Sequence, residues 1–178
     1  MDDVRSRFEA EVIPHLDAAY RFACWLSPSP ADADDVVQEA FLRAFRAFDS
    51  LRGANTKAWL LAIVRNCHAT AFQQQKRRAY VPLPDEAEGH EMIAVTPDPE
   101  DESIRRDQQR LLERVMATLP QEHREVLVLR EVEDLNYREI ASVLKVPIGT
   151  VMSRLARARA ALRAGLPNET EGEPRAMR

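Results

Sequence analysis

Phe8, Val12, Leu16, Ala19, Ala23 and Leu26 follow one another at intervals of three or four residues, and similar spacing recurs along most of the 178-residue chain. That interval is one face of an α-helix and not the alternation of a strand. No sustained run alternates Val, Ile or Thr with polar residues, and only five glycines are available for tight turns. The chain reads as all-α. The first apolar series predicts one amphipathic helix over 4–26. Pro28 and Pro30 in SPSPADAD end it, since each removes an amide donor and disfavours helix in the residue before it. A second helix is expected from near Asp32, with Val37, Phe41, Ala44 and Phe48 on one face. DSLRGANTK interrupts with the turn-tolerant Gly53 and Asn55, and a third helix runs from about Lys57 to Arg78.

After Arg78 the pattern changes. YVPLPDEAEGHEMIAVTPDPEDES holds four of the eleven prolines, a strong acidic bias and no helical period. This fits a flexible linker. Helical spacing resumes near Ser103 and is broken by LPQEH, EDLNY and KVPIG, which divides the remainder into four shorter helices. The expected organisation is therefore two small helical domains, 1–80 and 103–166, joined by an acidic, proline-rich linker over 81–102 and followed by a polar tail over 167–178.

Composition narrows the function classes. With 45% hydrophobic and 30% charged residues the chain can bury a core and remain soluble. It has no apolar run of about 18 residues, and the acidic start MDDVRSRFEA is unlike a signal peptide, so no membrane insertion and a cytoplasmic location are expected. Cys24 and Cys67 stand apart in apolar patterns, as inert thiols do. His15, His68, His90 and His123 lack metal-ligand spacing, so no metal is expected. Without a Ser/His, Cys/His or metal constellation the chain does not read as an enzyme, and neither a cofactor nor a small-molecule substrate is expected.

The net charge is −4, yet YREIASVLKVPIGTVMSRLARARAAL has one acid, Glu139, against basic residues that include Lys145, Arg154, Arg157 and Arg159. Asn136 is a good N-cap and Glu139 can reach back to its amide, which predicts a helix over 137–145. Val146, Pro147, Ile148 and Gly149 form the turn before a second helix. At 100° per residue Val151, Leu155, Ala158 and Leu162 share one arc of that helix, while Thr150, Ser153 and Arg157 lie opposite with Arg154 at the flank. A small basic face without carboxylates suits a phosphate backbone, and a helix-turn-helix brings the start of its second helix to base edges in the major groove. A plain α-hairpin with solvated arginines is the alternative.

These motifs carry a resemblance. LPQEHREVLVLREVEDLNYREIASVLKVPIGTVMSRLARARAAL resembles region 4 of bacterial extracytoplasmic-function sigma factors, small members of the sigma-70 family; DADDVVQEAFLRAF is similar to their region 2.2, and FDSLRGANTKAWLLAIVRN to regions 2.3 and 2.4. The resemblance implies a subunit that binds core RNA polymerase, recognises and opens promoter DNA, and is inhibited by an anti-sigma factor. It places Asp34, Asp35, Gln38, Glu39 and Arg43 in the polymerase-docking patch. It assigns the minus-10 element to Arg52, Asn55, Thr56, Lys57, Arg65, Asn66, Gln73, Lys76, Arg77 and Arg78. It assigns the minus-35 element to Gly149, Thr150, Met152, Ser153, Arg154, Arg157 and Arg159. Trp59, within AWLLAIV, is expected to pack in the core. Two positions depart from the family: many relatives have Lys in place of Met152, and Phe in place of Leu51. A helix-turn-helix regulator acting without polymerase, or a sigma mimic that only occupies an anti-sigma factor, are the rival readings; the first predicts a dimer on a palindromic site, the second a recognition helix stripped of its basic residues.

Overall fold

The computed structural model describes residues 2–51, 55–78 and 99–166, and among them every regular element is helical. The N-terminal half contains α1 (Asp2–Glu11), α2 (Leu16–Leu26), α3 (Pro30–Ala47) and α4 (Thr56–Arg78). The C-terminal half contains α5 (Pro99–Thr118), α6 (Gln121–Leu127), α7 (Tyr137–Leu144) and α8 (Ile148–Gly165).

The single helix expected over 4–26 is two helices. Pro14 lies in a 3-10 turn over Ile13–His15, because it lacks the amide that an α-helix interior would use and its ring crowds the preceding turn. Most of the apolar series survives the break, with Phe8, Val12, Ala19, Ala23 and Leu26 buried, but Leu16, expected on the same face, directly follows the 3-10 turn and is 41% exposed. Helix α3 starts at Pro30, two residues earlier than expected, with the Ser29 hydroxyl capping the Asp32 amide at 3.2 Å and Pro30 in the first turn, where no amide is needed. Helix α5 likewise begins at Pro99, so 99–102 is helical, while the remainder of the expected linker and the tail over 167–178 lie outside the described residues.

Helices α2, α3 and α4 pack against one another around Phe22, Ala40, Ala44, Leu60, Leu61 and Val64. Alanines at the helix crossings allow close approach, and each large side chain buried contributes about 1.5–3 kcal/mol. Phe8 closes the end of this bundle by meeting Phe41, Phe45 and Phe48 edge-on at 5.1–6.4 Å. Trp59 is partly buried against the core, as its apolar neighbours suggest.

In the other half, α8 packs on α6, α7 and α5 around Leu129, Ile140, Val151, Leu155 and Ala158. Helix α6 runs into a π-helical turn over Val128–Val132, and the chain reverses at Asp134, whose φ of 52° is in the left-handed region. Asp tolerates that region better than most side chains. Helix α7 packs on α4 and α6 packs on α2, so the buried apolar residues of both halves form one contiguous cluster.

Candidate nucleic-acid interface

The capping box of the helix-turn-helix forms as its sequence indicates. Asn136 accepts from the Arg138 and Glu139 amides at 3.0 Å each, and the Asn136 amide donates to Glu139 at 2.9 Å. Lys145 ends α7 at φ 54°, turning the chain toward α8. Pro147 is the N-cap of α8, so Ile148 and Gly149 lie in its first turn rather than in the loop assigned to them from the sequence. Val151, Leu155 and Ala158 are buried, Leu162 packs beside them, and Met152, Ser153 and Arg157 point outward. Met152 is 54% exposed, a large apolar group on a surface where solvation favours polar ones. Thr150 is half-buried, and its carbonyl accepts from the Ser153 hydroxyl at 3.0 Å.

The basic face of α8 is less open than its own sequence implies. Arg154 meets Glu122 of α6 at 2.6 Å, and Arg159 meets Glu131 of the π-helical turn at 2.6 Å. No carboxylate lies on the helix itself; acids 32 and 28 residues away are brought to it by packing. Arg157 has no ion-pair partner among the described residues. Beside α8, Arg130, Asn136, Tyr137 and Arg138 line a shallow recess at the start of α7, with Arg130 5.7 Å over the Tyr137 ring. The sequence reading passed over Arg130, Tyr137 and Arg138; their signal is position, two cations and a phenol gathered at the start of the first helix of the helix-turn-helix.

Residues assigned to the minus-10 element separate into two groups. At 100° per residue Asn66, Gln73 and Arg77 fall within an arc of about 40° on α4, and Lys57 and Arg65 fall elsewhere. Gln73, Lys76 and Arg77 are exposed, with Lys76 4.6 Å over the Phe72 ring; Asn66 is half-buried. Lys57 and Arg65 instead face the C-terminal half. Lys57 reaches Glu133 at 2.8 Å and Arg65 reaches Glu125 at 3.0 Å. Asn55 caps α4 through the Ala58 amide at 3.3 Å and donates to Glu139 at 2.7 Å. Thr56 is half-buried at the first turn. Arg52 and the Arg78 side chain lie outside the described residues.

On α3, Asp34, Asp35 and Gln38 are exposed, while Glu39 and Arg43 are half-buried and pair at 2.6 Å. Leu42, 54% exposed, lies one turn beyond Gln38, and the sequence reading passed over it. Its signal is register, since it stands outside the buried series Val37, Ala40 and Ala44. The stripe therefore offers directional polar groups around an apolar contact, a composition suited to a protein partner.

Comparison with known proteins places both halves. Residues 12–78 match the family model Sigma-70 region 2, and residues 109–162 match Sigma-70, region 4. The chain is 37% identical over 139 residues to the ECF RNA polymerase sigma-E factor of Escherichia coli K12, covering 74% of this chain and 72% of that protein. It is 35% identical over 153 residues to the ECF RNA polymerase sigma factor SigE of Mycolicibacterium smegmatis, covering 84% of this chain and 57% of the relative. The sigma factor RpoE of Bartonella quintana, solved in complex with the anti-sigma factor NepR, superposes with a TM-score of 0.79 at 25% identity, over 92% of this chain and 98% of that one. With a polar stripe on α3, a basic helix-turn-helix, and both sigma regions matched in order along one chain, the protein belongs to the extracytoplasmic-function sigma factors, regulatory DNA-binding subunits of RNA polymerase.

Proposed function

We propose that three surfaces divide the work of promoter-specific initiation. The α3 stripe, centred on Gln38, Glu39 and Leu42, docks on core RNA polymerase. The end of α4, with Gln73, Lys76 and Arg77, and the segment around Asn55 to Lys57 take the minus-10 element and its melted strand, where stacking, edge hydrogen bonds and backbone cations are what single strands require. Helix α8 enters the major groove at the minus-35 element, and the recess of Arg130, Tyr137 and Arg138 meets the flanking phosphates. The chain contributes binding energy and no bond chemistry, so it acts as a polymerase subunit and not as an enzyme. It works in the cytoplasm, where polymerase and promoter are found; no described helix is long and apolar enough to cross a membrane. An anti-sigma factor is the expected inhibitor, since the similar Bartonella quintana sigma factor was solved with one.

The observation that carries this reading is the presence of both sigma regions in one chain, with the α3 stripe left exposed. Reconstitution with core polymerase on genomic fragments tests it: the chain is expected to direct transcripts that core alone does not make. Gln38→Ala with Glu39→Ala is expected to cost about 1–2 kcal/mol of docking, roughly a five- to thirtyfold loss in competition with another sigma factor. Undiminished competition at normal helix content places the docking surface elsewhere.

A further inference from the structure

Glu133 is an ionisable group whose side chain is completely enclosed, and the cations that pair with it come from the other half of the molecule. Arg21 of α2 grips both carboxylate oxygens at 3.0 and 3.2 Å. Lys57 of α4 reaches the carboxylate at 2.8 Å and the Glu133 carbonyl at 2.8 Å. Glu125, also buried, accepts from Arg65 of α4 at 3.0 Å and from its own neighbour Gln121 at 3.0 Å. Asn55 completes the set through Glu139 at 2.7 Å, and Arg124 of α6 donates to the Trp25 carbonyl of α2 at 3.1 Å.

Resting on the sigma-factor reading above, we infer that region 4 serves as a phosphate mimic for region 2: Glu125, Glu133 and Glu139 occupy the cation and amide sites at Arg21, Lys57, Arg65 and Asn55 that promoter DNA would otherwise fill. The free chain thereby masks its own minus-10 surface. A carboxylate and a phosphodiester present the same chemistry to Arg and Lys, an anionic oxygen accepting charge-assisted hydrogen bonds. One cation cannot serve both, so closure and DNA binding compete.

The choice of charged over apolar groups matters for reversibility. A buried ion pair contributes little net stability relative to two hydrated ions, because desolvation offsets most of the attraction. On opening, Glu125 and Glu133 return to water and lose nothing that must be replaced by another partner. The contact is specific in register but releasable.

The test uses the full chain without polymerase. Small-angle X-ray scattering reports its dimensions, and fluorescence anisotropy reports binding to a single-stranded and to a forked DNA oligonucleotide. Glu125→Gln with Glu133→Gln is compared with Glu9→Gln with Glu11→Gln, which removes the same charge from exposed pairs within α1. The first pair is expected to expand the chain and, where about nine-tenths of wild type is closed, to raise oligonucleotide affinity about tenfold over the second. If the first pair loses helix content, Arg21→Gln decides: it removes a cation whose side chain is 42% exposed, leaves both buried carboxylates in place, and is expected to expand the chain. Unchanged dimensions in both variants overturn the proposal, and so does an expansion of the carboxylate variant that leaves affinity at the control value. The sigma-factor reading is judged separately by transcription with core polymerase. A transcribing chain that never opens sinks the masking alone; one that opens but never transcribes sinks that reading.

Discussion

Arg154 and Arg157 are three residues apart on the same helix, but their electrostatic environments differ. Arg154 is held at 2.6 Å by Glu122, whereas Arg157 is exposed and has no ion-pair partner among the described residues. A guanidinium already engaged at the helix flank must exchange its carboxylate for a phosphate, which adjusts affinity without reading sequence. A free guanidinium on the outward face is able to fork onto the two acceptors of a guanine. Arg157→Ala is thus expected to cost about 1–3 kcal/mol and to relax preference at one minus-35 position, while Arg154→Ala lowers binding uniformly and reduces the salt slope by about one. Transcription from a library randomised across the minus-35 element, run with each mutant holoenzyme at two salt concentrations, separates the two. An Arg157→Ala holoenzyme with the wild-type profile removes the base-reading role. At this scale the sequence displayed the cations but not their counter-ions. Glu122 and Glu131 occur in segments with their own helical logic, and nothing local to them marks the later meeting with α8.

Among the elements, legibility followed the range of the interaction that sets each boundary. The start of α7 was readable because Asn136 and Glu139 satisfy each other's amides within four residues. The break at Pro14 was obscured because the 3-10 turn keeps the apolar face nearly in phase, so the periodicity continues across it. The π-helical turn at Val128–Val132 was not legible at all: it inserts within VLVLREVEDL, whose apolar spacing suits an uninterrupted helix. That insertion helps carry Glu133 to the face where Arg21 and Lys57 wait. Since α7 packs on both α8 and α4, its cap supports the recognition helix and the contact between halves together. Asn136→Ala is expected to cost about 1 kcal/mol by thermal unfolding, the usual value of a lost N-cap. It is also expected to weaken minus-35-dependent transcription more than docking on core polymerase, since α3 is remote in sequence and makes its own cap at Ser29. Equal loss of both activities, with an unchanged melting temperature, contradicts that assignment.

For the whole molecule, an acidic linker in the sequence suggested two small helical domains; the buried apolar residues of both halves join in one continuous cluster, and charged groups complete the contact. Glu125 and Glu133 resemble surface acids in sequence because their partners lie 60 to 112 residues away. His68 lies at the same junction, on α4 beside a backbone hydrogen bond to Leu26 of α2, with Arg124 and Glu125 of α6 and Arg65 of its own helix nearby. Its ring stacks on Phe72 at 6.0 Å, and its buried Nδ1 has no hydrogen-bond partner among the described residues. Burial pushes the His68 pKa below its ordinary value of 6.5; Arg124 and Arg65 push the same way, against Glu125 and the Leu26 hydrogen bond. His15 is also pushed down, by burial and then by Lys57. The unfolded chain therefore binds these protons more readily than the folded one. Linkage makes stability fall as pH drops below about 6.5 and on through the lowered values, while above that range both forms are neutral and the histidines contribute no slope. Melting temperature measured at intervals from about pH 7.5 to about pH 5.5, above the range where ordinary carboxylates titrate, is expected to decline across the lower half. His68→Gln, which keeps a polar group of similar reach without a titrating ring, is expected to remove most of that decline and leave the part due to His15. A variant whose melting temperature falls with pH as steeply as wild type would show that the proton is taken up elsewhere, and that His68 is no more than a packing residue at the seam between the two halves.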